Sequence, residues 1–179
     1  MFGMLAGLSL LLVQAGSPIG PPKLPFVDKG ACPFECCQYG RWTAERRVVA
    51  FKSQSTQSGQ AFAVERGQTI TATTGEVITR RAGIVRVIKP TTLDGERVPA
   101  GAVLYLLHSG GEGSALYWYN GRTHWAELYA ETVHRGSEAF PWDVVSLPST
   151  QWWVKIRNER GATGWLLNPQ GFDGMDRCG

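Results

Sequence analysis

The dipeptide Asn120-Gly121 separates two short runs, 116–119 and 122–125, that are rich in residues with high strand propensity. Asn-Gly is strongly preferred in the two-residue type I′ turn, because both central residues of that turn need a positive φ. Such a turn sets the register of the strands it joins, so it pairs Tyr119 with Arg122 and continues to Leu116 opposite Trp125. The sequence therefore predicts a tight β-hairpin at this position.

The rest of the chain has a similar pattern of strands and turns. Its apolar residues come in short bursts between glycines and polar turns, and no 3.6-residue period persists over three helical turns. The 22 glycines and 10 prolines supply the turns, and only 18% of the residues are charged. We therefore predict an all-β protein, with strands at residues 47–51, 61–64, 69–74, 76–79, 84–88, 103–108, 115–119, 122–128, 153–157 and 164–167.

Residues 1–15 have the features of a signal peptide. An apolar core covers 5–13 and residues 13–15 offer a cleavage site, although the usual basic residues before the core are missing. A membrane anchor is the alternative, but the apolar run is short for a hydrocarbon layer of about 30 Å. We predict an exported protein, periplasmic or extracellular, with no membrane span after cleavage. A Pro/Gly-rich linker at 16–30 then precedes a folded part at 31–179.

Four cysteines follow the signal peptide, and an even number in an exported chain predicts disulfide bonds. They are Cys32, Cys36, Cys37 and Cys178. Adjacent cysteines rarely bond to each other, so one of the central two bonds to Cys32 or Cys178 and the other takes the remaining partner. A metal site formed by this cluster with a histidine is the alternative. It lacks a C-x-x-C pair, so we predict no metal and no cofactor.

Strand alternation sorts the side chains of the Asn120-Gly121 hairpin onto two faces. We expect one face to pack in the core and to carry Leu116, Trp118 and Trp125. The other face then combines flat aromatic rings with polar groups, a mixture that suits peptides or sugars: Tyr117, Tyr119, Arg122 and His124. The alternative is that tyrosine is present for its strand propensity alone.

A second hairpin is predicted where the run 153–157 is followed by a turn and by 163–167. Val154 and Ile156 share one face. Trp153 shares the other with Lys155 and Arg157, so an aromatic ring again lies beside cations and forms a second candidate ligand surface. Alternatively, Trp153 lies under the aliphatic stems of the two cations.

This second hairpin resembles the closing hairpin of bacterial SH3-like (SH3b) domains. In those domains a Trp is followed by alternating Val and Lys or Arg, a short turn and Thr-Gly-Trp. Here these elements are 153–157, 158–162 and Thr163-Gly164-Trp165. An entry strand, a Ser-rich loop at 53–58 and the segment Val64-Glu-Arg-Gly67 also resemble the first part of such domains. Together the two pieces cover about 50 residues.

The resemblance implies an SH3-like small barrel that acts as a binding module of the bacterial envelope and meets peptidoglycan or a peptide. This sequence departs from the pattern because about 75 residues intervene between the two pieces. The insert repeats the apolar–turn–Gly–strand entry of 64–70 at 98–104, so we predict two interlocked SH3-like subdomains, the second inserted at about 76–148.

Sequence motifs for catalysis are missing from this chain. It has no G-x-S-x-G, no H-E-x-x-H and no phosphate-binding loop. The formal charge of +3 is scattered, which argues against nucleic acid. We therefore predict a non-catalytic binding protein. One alternative is a hydrolase that uses His108, Glu112 of the loop Gly110-Gly-Glu-Gly113, and His124; another is a structural or inhibitory partner protein.

Overall fold

A computed structural model describes residues 20–178 and confirms the all-β prediction. Within this range no helix is long and apolar enough to cross a membrane. The predicted signal peptide and the first residues of the predicted linker lie outside the described range. The strands are β1 (Phe26–Lys29), β2 (Gly40–Ala44), β3 (Val48–Ser53), β4 (Ser55–Val64), β5 (Thr69–Arg81), β6 (Gly83–Val87), β7 (Thr91–Leu93), β8 (Glu96–Val98), β9 (Val103–Gly111), β10 (Ser114–Tyr119), β11 (Arg122–Glu127), β12 (Trp142–Ser146), β13 (Ser149–Asn158), β14 (Thr163–Leu167) and β15 (Phe172–Asp173).

The first sheet contains eight strands and curls into a half-barrel. Its order is β15-β2-β5-β13-β14-β3-β4, and β1 also pairs with β5. The long strands β5 and β13 pair from Ser149 opposite Arg81 to Asn158 opposite Ile70 and form its centre. Early and late parts of the chain therefore meet in one sheet.

The second sheet has the order β11-β10-β9-β6-β12, and β7 and β8 form a separate ribbon. All of these strands lie between β5 and β13 in the sequence, from Gly83 to Ser146. The Thr79 hydroxyl of the first sheet donates a buried hydrogen bond of 2.9 Å to the Leu107 carbonyl of the second. That each sheet belongs to an SH3-like subdomain stays a prediction.

The strand prediction missed β2, β7, β8, β12 and β15, and two further details of it are wrong. Residues 26–29, placed in the linker, form β1, whose Asp28 reaches the second sheet. The two strands expected on either side of Gly75 are one strand, β5. A glycine fits there because a Cβ would lie 2.6 Å from Nε1 of Trp152 and still closer to the Tyr39 hydroxyl. The glycine thus admits two aromatic side chains instead of ending the strand.

Each sheet has its own hydrophobic core. The first is centred on Trp42 and includes Trp152, Ile156 and Phe172, all buried. The second is centred on Tyr117 and also contains buried leucines, valines and a tryptophan: Val85, Val87, Leu93, Val98, Leu104, Leu106, Leu128, Trp142 and Val144.

The predicted pair of disulfides is confirmed, and the structure decides between the open pairings. Cys32 bonds to Cys37, and Cys36 bonds to Cys178 across 142 residues of chain. The second bridge holds the C-terminal segment beside the segment before β2, where the Met175 carbonyl also accepts a 3.0 Å hydrogen bond from the Gln38 amide. Because the sulfurs of Cys36 and Cys178 are bonded to each other, they are not thiolate ligands for a metal beside Glu35.

A candidate binding groove between the two sheets

The Asn120-Gly121 hairpin has the predicted register, with Tyr119 opposite Arg122 and Leu116 opposite Trp125. Its two faces, however, differ from those predicted: Leu116 is buried as expected, but the face expected to be open is covered in part. Tyr117 and His124 are buried in the core, whereas Trp125 is 44% exposed. The alternation Leu-Tyr-Trp-Tyr is apolar on both sides, so only the packing of β9 decides which side is covered. Tyr117 pairs with Leu106 and joins the second core.

His124 belongs to a cluster of polar side chains at this hairpin. Its ring stacks on Tyr117 with centroids 5.2 Å apart, Nδ1 lies 3.1 Å from Asp94 and Nε2 lies 3.4 Å from Glu96. The Tyr117 hydroxyl, in contrast, has no hydrogen-bond partner among the described residues. Burial raises the pKa of this hydroxyl well above its ordinary value. Neither side chain is therefore available to an external ligand.

Replacing Tyr117 by phenylalanine is expected to raise the free energy of unfolding by about 1 kcal/mol, because it removes a buried hydroxyl that has no partner. Urea denaturation measures the change. Tyr39→Phe is the matched control: the Tyr39 hydroxyl donates to the Ala31 carbonyl and accepts from Trp152 Nε1, so its removal is expected to destabilise. A clear loss of stability in Tyr117→Phe would contradict this assignment of its hydroxyl.

Arg122 is exposed, as predicted, but its guanidinium already forms an ion pair within the protein. Its Nη2 lies 2.9 Å from Glu96 Oε2, and Asn120 donates to the other oxygen of the same carboxylate. These hydrogen bonds hold the pKa of Glu96 below its ordinary value. Tyr119, the remaining residue of the predicted face, is half-buried. The four predicted residues therefore do not form one ligand surface.

The second hairpin pairs Trp153 with Leu167 and Arg157 with Thr163. Trp153 meets Phe51 edge-on at 6.2 Å on the face that it was predicted to share with Lys155, but it is fully buried there and so is not part of an exposed ligand surface. Arg157 is exposed. The ring that lies beside a cation here is Trp165, with Lys155 Nζ 5.9 Å from its centroid.

The three residues of the hydrolase alternative do not converge. His108 lies opposite Leu116 and His124 opposite Tyr117, so the two imidazoles are on opposite faces of the second sheet. His108 faces Asp28, with Nε2 2.8 Å from the carboxylate, and not Glu112. Glu112 lies instead beside another acid, Glu35. The hydrogen bond between their carboxyl groups raises the pKa of Glu35. These three residues therefore do not form the site that the hydrolase hypothesis requires.

The junction of the two sheets holds a groove of about 420 Å³. A smaller cavity of about 180 Å³ adjoins it, since His108, Ser109 and Thr150 line both. The other residues that line the groove are mainly apolar or uncharged: Pro33, Phe34, Val77, Trp152, Asn168, Pro169, Gln170 and Met175. Its volume lies within the range of small-ligand sites.

Trp152 is the central residue of this groove. It meets Phe34 edge-on at 5.7 Å, and its Nε1 donates to the Tyr39 hydroxyl at 3.3 Å. Its backbone amide donates to Asn168 Oδ1 at 2.7 Å, which fixes the segment that follows β14. These contacts hold the ring in place before any ligand arrives, and such preorganisation favours binding.

Part of the wall of the groove comes from two segments that the Cys36–Cys178 disulfide joins. Phe34 lies in the loop closed by Cys32–Cys37, and Met175 lies three residues before Cys178. His108 is held from both sides, since Nδ1 lies 2.8 Å from the Ser109 carbonyl and Nε2 the same distance from Asp28. The groove thus combines rigid apolar walls with hydrogen-bonding groups that carry little charge.

The fold and the groove define a class: an all-β, disulfide-bonded protein with a preformed cleft between two sheets. Comparisons of the chain with family models, with curated proteins and with solved structures find no match. The resemblance to bacterial SH3-like domains accordingly rests on its sequence motifs and stays a prediction.

Among the residues of the groove, sequence reasoning named only His108, and it named that residue for a different role. Phe34 and Met175 are far apart in the chain, and only the pairing of Cys36 with Cys178 brings their segments together. One signal was present, because each of these apolar residues lies within three positions of a paired cysteine. Because the four cysteines could pair in two ways, this proximity did not indicate which segments meet.

Proposed function

We propose that this chain is a non-catalytic, exported binding protein of the bacterial envelope, and that its ligand is a peptide bound in the groove between the sheets. The observation that carries the proposal is the preformed groove with Phe34, Trp152 and Met175 in its walls. The implied SH3-like character adds support, since such modules meet peptidoglycan or peptides. The disulfide bonds are compatible with an oxidising, exported compartment.

The lining of the groove favours an uncharged peptide segment with apolar side chains. Among its residues only His108 is ionisable, and its two nitrogens already face Asp28 and Ser109. A charged ligand group would lose its hydration there without gaining a partner charge. Thr150 and Gln170 are exposed at the groove and offer hydrogen bonds to a peptide backbone.

Titration of the isotope-labelled protein with soluble peptidoglycan stem peptides, followed by NMR, tests the proposal. We expect shifts of the Trp152 indole and His108 signals and saturable binding. Thr150→Arg places a bulky cation in both cavities and is expected to weaken binding at least about tenfold, a loss of about 1.4 kcal/mol. Thr163→Arg changes an equally exposed strand residue outside the groove and should bind as the wild type does. Equal binding by both variants, or no binding at millimolar peptide, would contradict the proposal.

A further inference from the structure

The smaller cavity beside the groove reaches into the second hydrophobic core. Three buried residues of that core line it, Leu106, Ala115 and Ala130, together with the partly buried Leu147 and Pro148. Two of the three core residues are alanines, whose side chains are single methyl groups and leave the space beside them unfilled. The cavity of about 180 Å³ is therefore a gap in the second core with an apolar wall.

The pairing of β9 with β10 places one short segment, His108-Ser109, at the border of both cavities. Pairing proceeds from Leu106 opposite Tyr117 to His108 opposite Leu116, and from Ser109 opposite Ala115 to Gly111 opposite Ser114. One residue of β9 is skipped on each side of this segment, so a bulge precedes it and another follows it. Bulges redirect side chains and are over-represented next to binding and active sites.

The other side of this segment has no neighbouring strand from the second sheet. Strand β6 pairs with β9 only from Val103 to Leu106, so β9 continues past the end of its partner. The residue of the first sheet that borders both cavities is Thr150, near the start of β13, and it is exposed. The edge of β9 and the start of β13 thus form the common border of the groove and the smaller cavity.

The polar groups at this border already have partners. The Ser109 hydroxyl donates to the Ser114 carbonyl at 3.4 Å and accepts from the Gly111 amide at 3.2 Å, and both ring nitrogens of His108 are engaged. Glu131, the acid in the lining, is exposed. A polar ligand group would lose its hydration in the cavity without gaining a free partner, so the lining favours an apolar group.

The volume of the cavity indicates how large this group is. An apolar protein cavity of about 150 Å³ is large enough to bind benzene. The cavity beside the groove is slightly larger, at about 180 Å³. It therefore has room for one side chain of the size of leucine or phenylalanine.

We propose that the smaller cavity receives one apolar side chain, of the size of leucine or phenylalanine, from the peptide that binds in the groove. The proposal rests on the proposed function of the groove and adds the side-chain preference of the site. Burial of such a side chain contributes enough free energy to select one peptide over another, because it corresponds to about a tenfold gain in affinity or more.

The test compares two capped, uncharged tripeptides that differ in their central residue, leucine in one and glycine in the other. NMR titration follows the Trp152 indole, which reports on the groove, and the methyl signals of Ala115 and Ala130, which report on the cavity. We expect both peptides to shift the indole signal and only the leucine peptide to shift the two methyl signals. The leucine peptide is expected to bind at least about tenfold more tightly.

Benzene probes the cavity without the groove. It is expected to shift the Ala115 and Ala130 methyl signals in a saturable manner, as in other apolar cavities of this size. Methyl signals that do not respond to benzene would contradict the assignment of this cavity to an apolar group.

Variants locate the preference in the cavity. Ala130→Leu fills the space and is expected to abolish the preference for the leucine peptide while the glycine peptide still binds. Leu147→Ala removes part of the wall, which should reduce the preference at least about threefold through lost contacts, and it serves as the test if Ala130→Leu does not fold. Ala102→Leu changes another partly buried alanine beside the second core that lines neither cavity, so it should retain the full preference.

The possible failures are distinguishable. Equal affinities for the two peptides, with a shifted Trp152 signal, would overturn the side-chain preference and leave the function of the groove intact. No binding of either peptide would overturn both proposals. Tighter binding of a peptide with a central lysine, which could reach Glu131, would also overturn the apolar assignment, as would a preference that survives in both cavity variants.

Discussion

A variant in which serine replaces both Cys36 and Cys178 is expected to lose about 5 kcal/mol of its free energy of unfolding. This bridge joins residues 142 positions apart, so it restricts nearly the whole folded chain in the unfolded state. Such a loss is a large part of the stability of an ordinary domain, which is about 5–15 kcal/mol. Urea denaturation with linear extrapolation measures it.

The matched control replaces Cys32 and Cys37, which lie only five positions apart. The same loop-closure reasoning gives about 2 kcal/mol for this short loop. The decisive quantity is the difference between the free energies of unfolding of the two double variants, because both remove one disulfide and add two serines. Equal losses would mean that the long loop is already restricted in the unfolded chain, or that the bridges act through contacts of the folded state.

Removal of the Trp42 side chain by Trp42→Ala is expected to cost about 3–5 kcal/mol. Trp42 is fully buried at the centre of the first core, with ring centroids 5.6 Å from Phe172 and 6.3 Å from both Tyr39 and Trp152. Its Nε1 also donates a 3.0 Å hydrogen bond to the Gln38 carbonyl. The variant therefore leaves a large cavity and an unpaired carbonyl.

Trp42→Phe separates these two contributions. It keeps most of the ring volume and removes the donor to Gln38, so the expected cost is about 1–3 kcal/mol. Because Trp152 packs on Trp42, the alanine variant should also broaden the NMR signals of the groove residues. If Trp42→Ala lost less of the free energy of unfolding than Trp42→Phe, or left the Trp152 signal unchanged, the central position of this ring would be contradicted.

The candidate surface on the first hairpin shows why register is easier to predict than orientation. Asn120-Gly121 sets the register locally, and the pairing of Tyr117 with His124 is confirmed. Which side of the pair is covered depends on strands that are distant in sequence. Leucine, tyrosine and tryptophan alternate here, so both sides are apolar and the pattern contains no sign that Trp125 is the exposed ring.

The loop Gly110-Gly-Glu-Gly113 shows a similar limit. From its composition it is a flexible turn, or a place where a ligand approaches the backbone. The structure gives its glycines definite neighbours: Trp125 lies on Gly110, Tyr129 on Gly113 and the Glu35 backbone beside Gly111. No local rule predicts these contacts, since each partner comes from another part of the chain.

The amino-acid sequence by itself determined the all-β class, the positions of the two hairpins, the register of the Asn120-Gly121 hairpin and the presence of two disulfides. These depend on turn residues, side-chain alternation and cysteine number, all of which act over a few residues or follow from chemistry alone. Only the tertiary structure decided which cysteines pair, that Tyr117, His124 and Trp153 are buried, and that Phe34, Trp152 and Met175 meet in one groove. The physical reason is that burial is set by which surfaces cover each other, and in this chain those surfaces belong to segments up to about 140 residues apart.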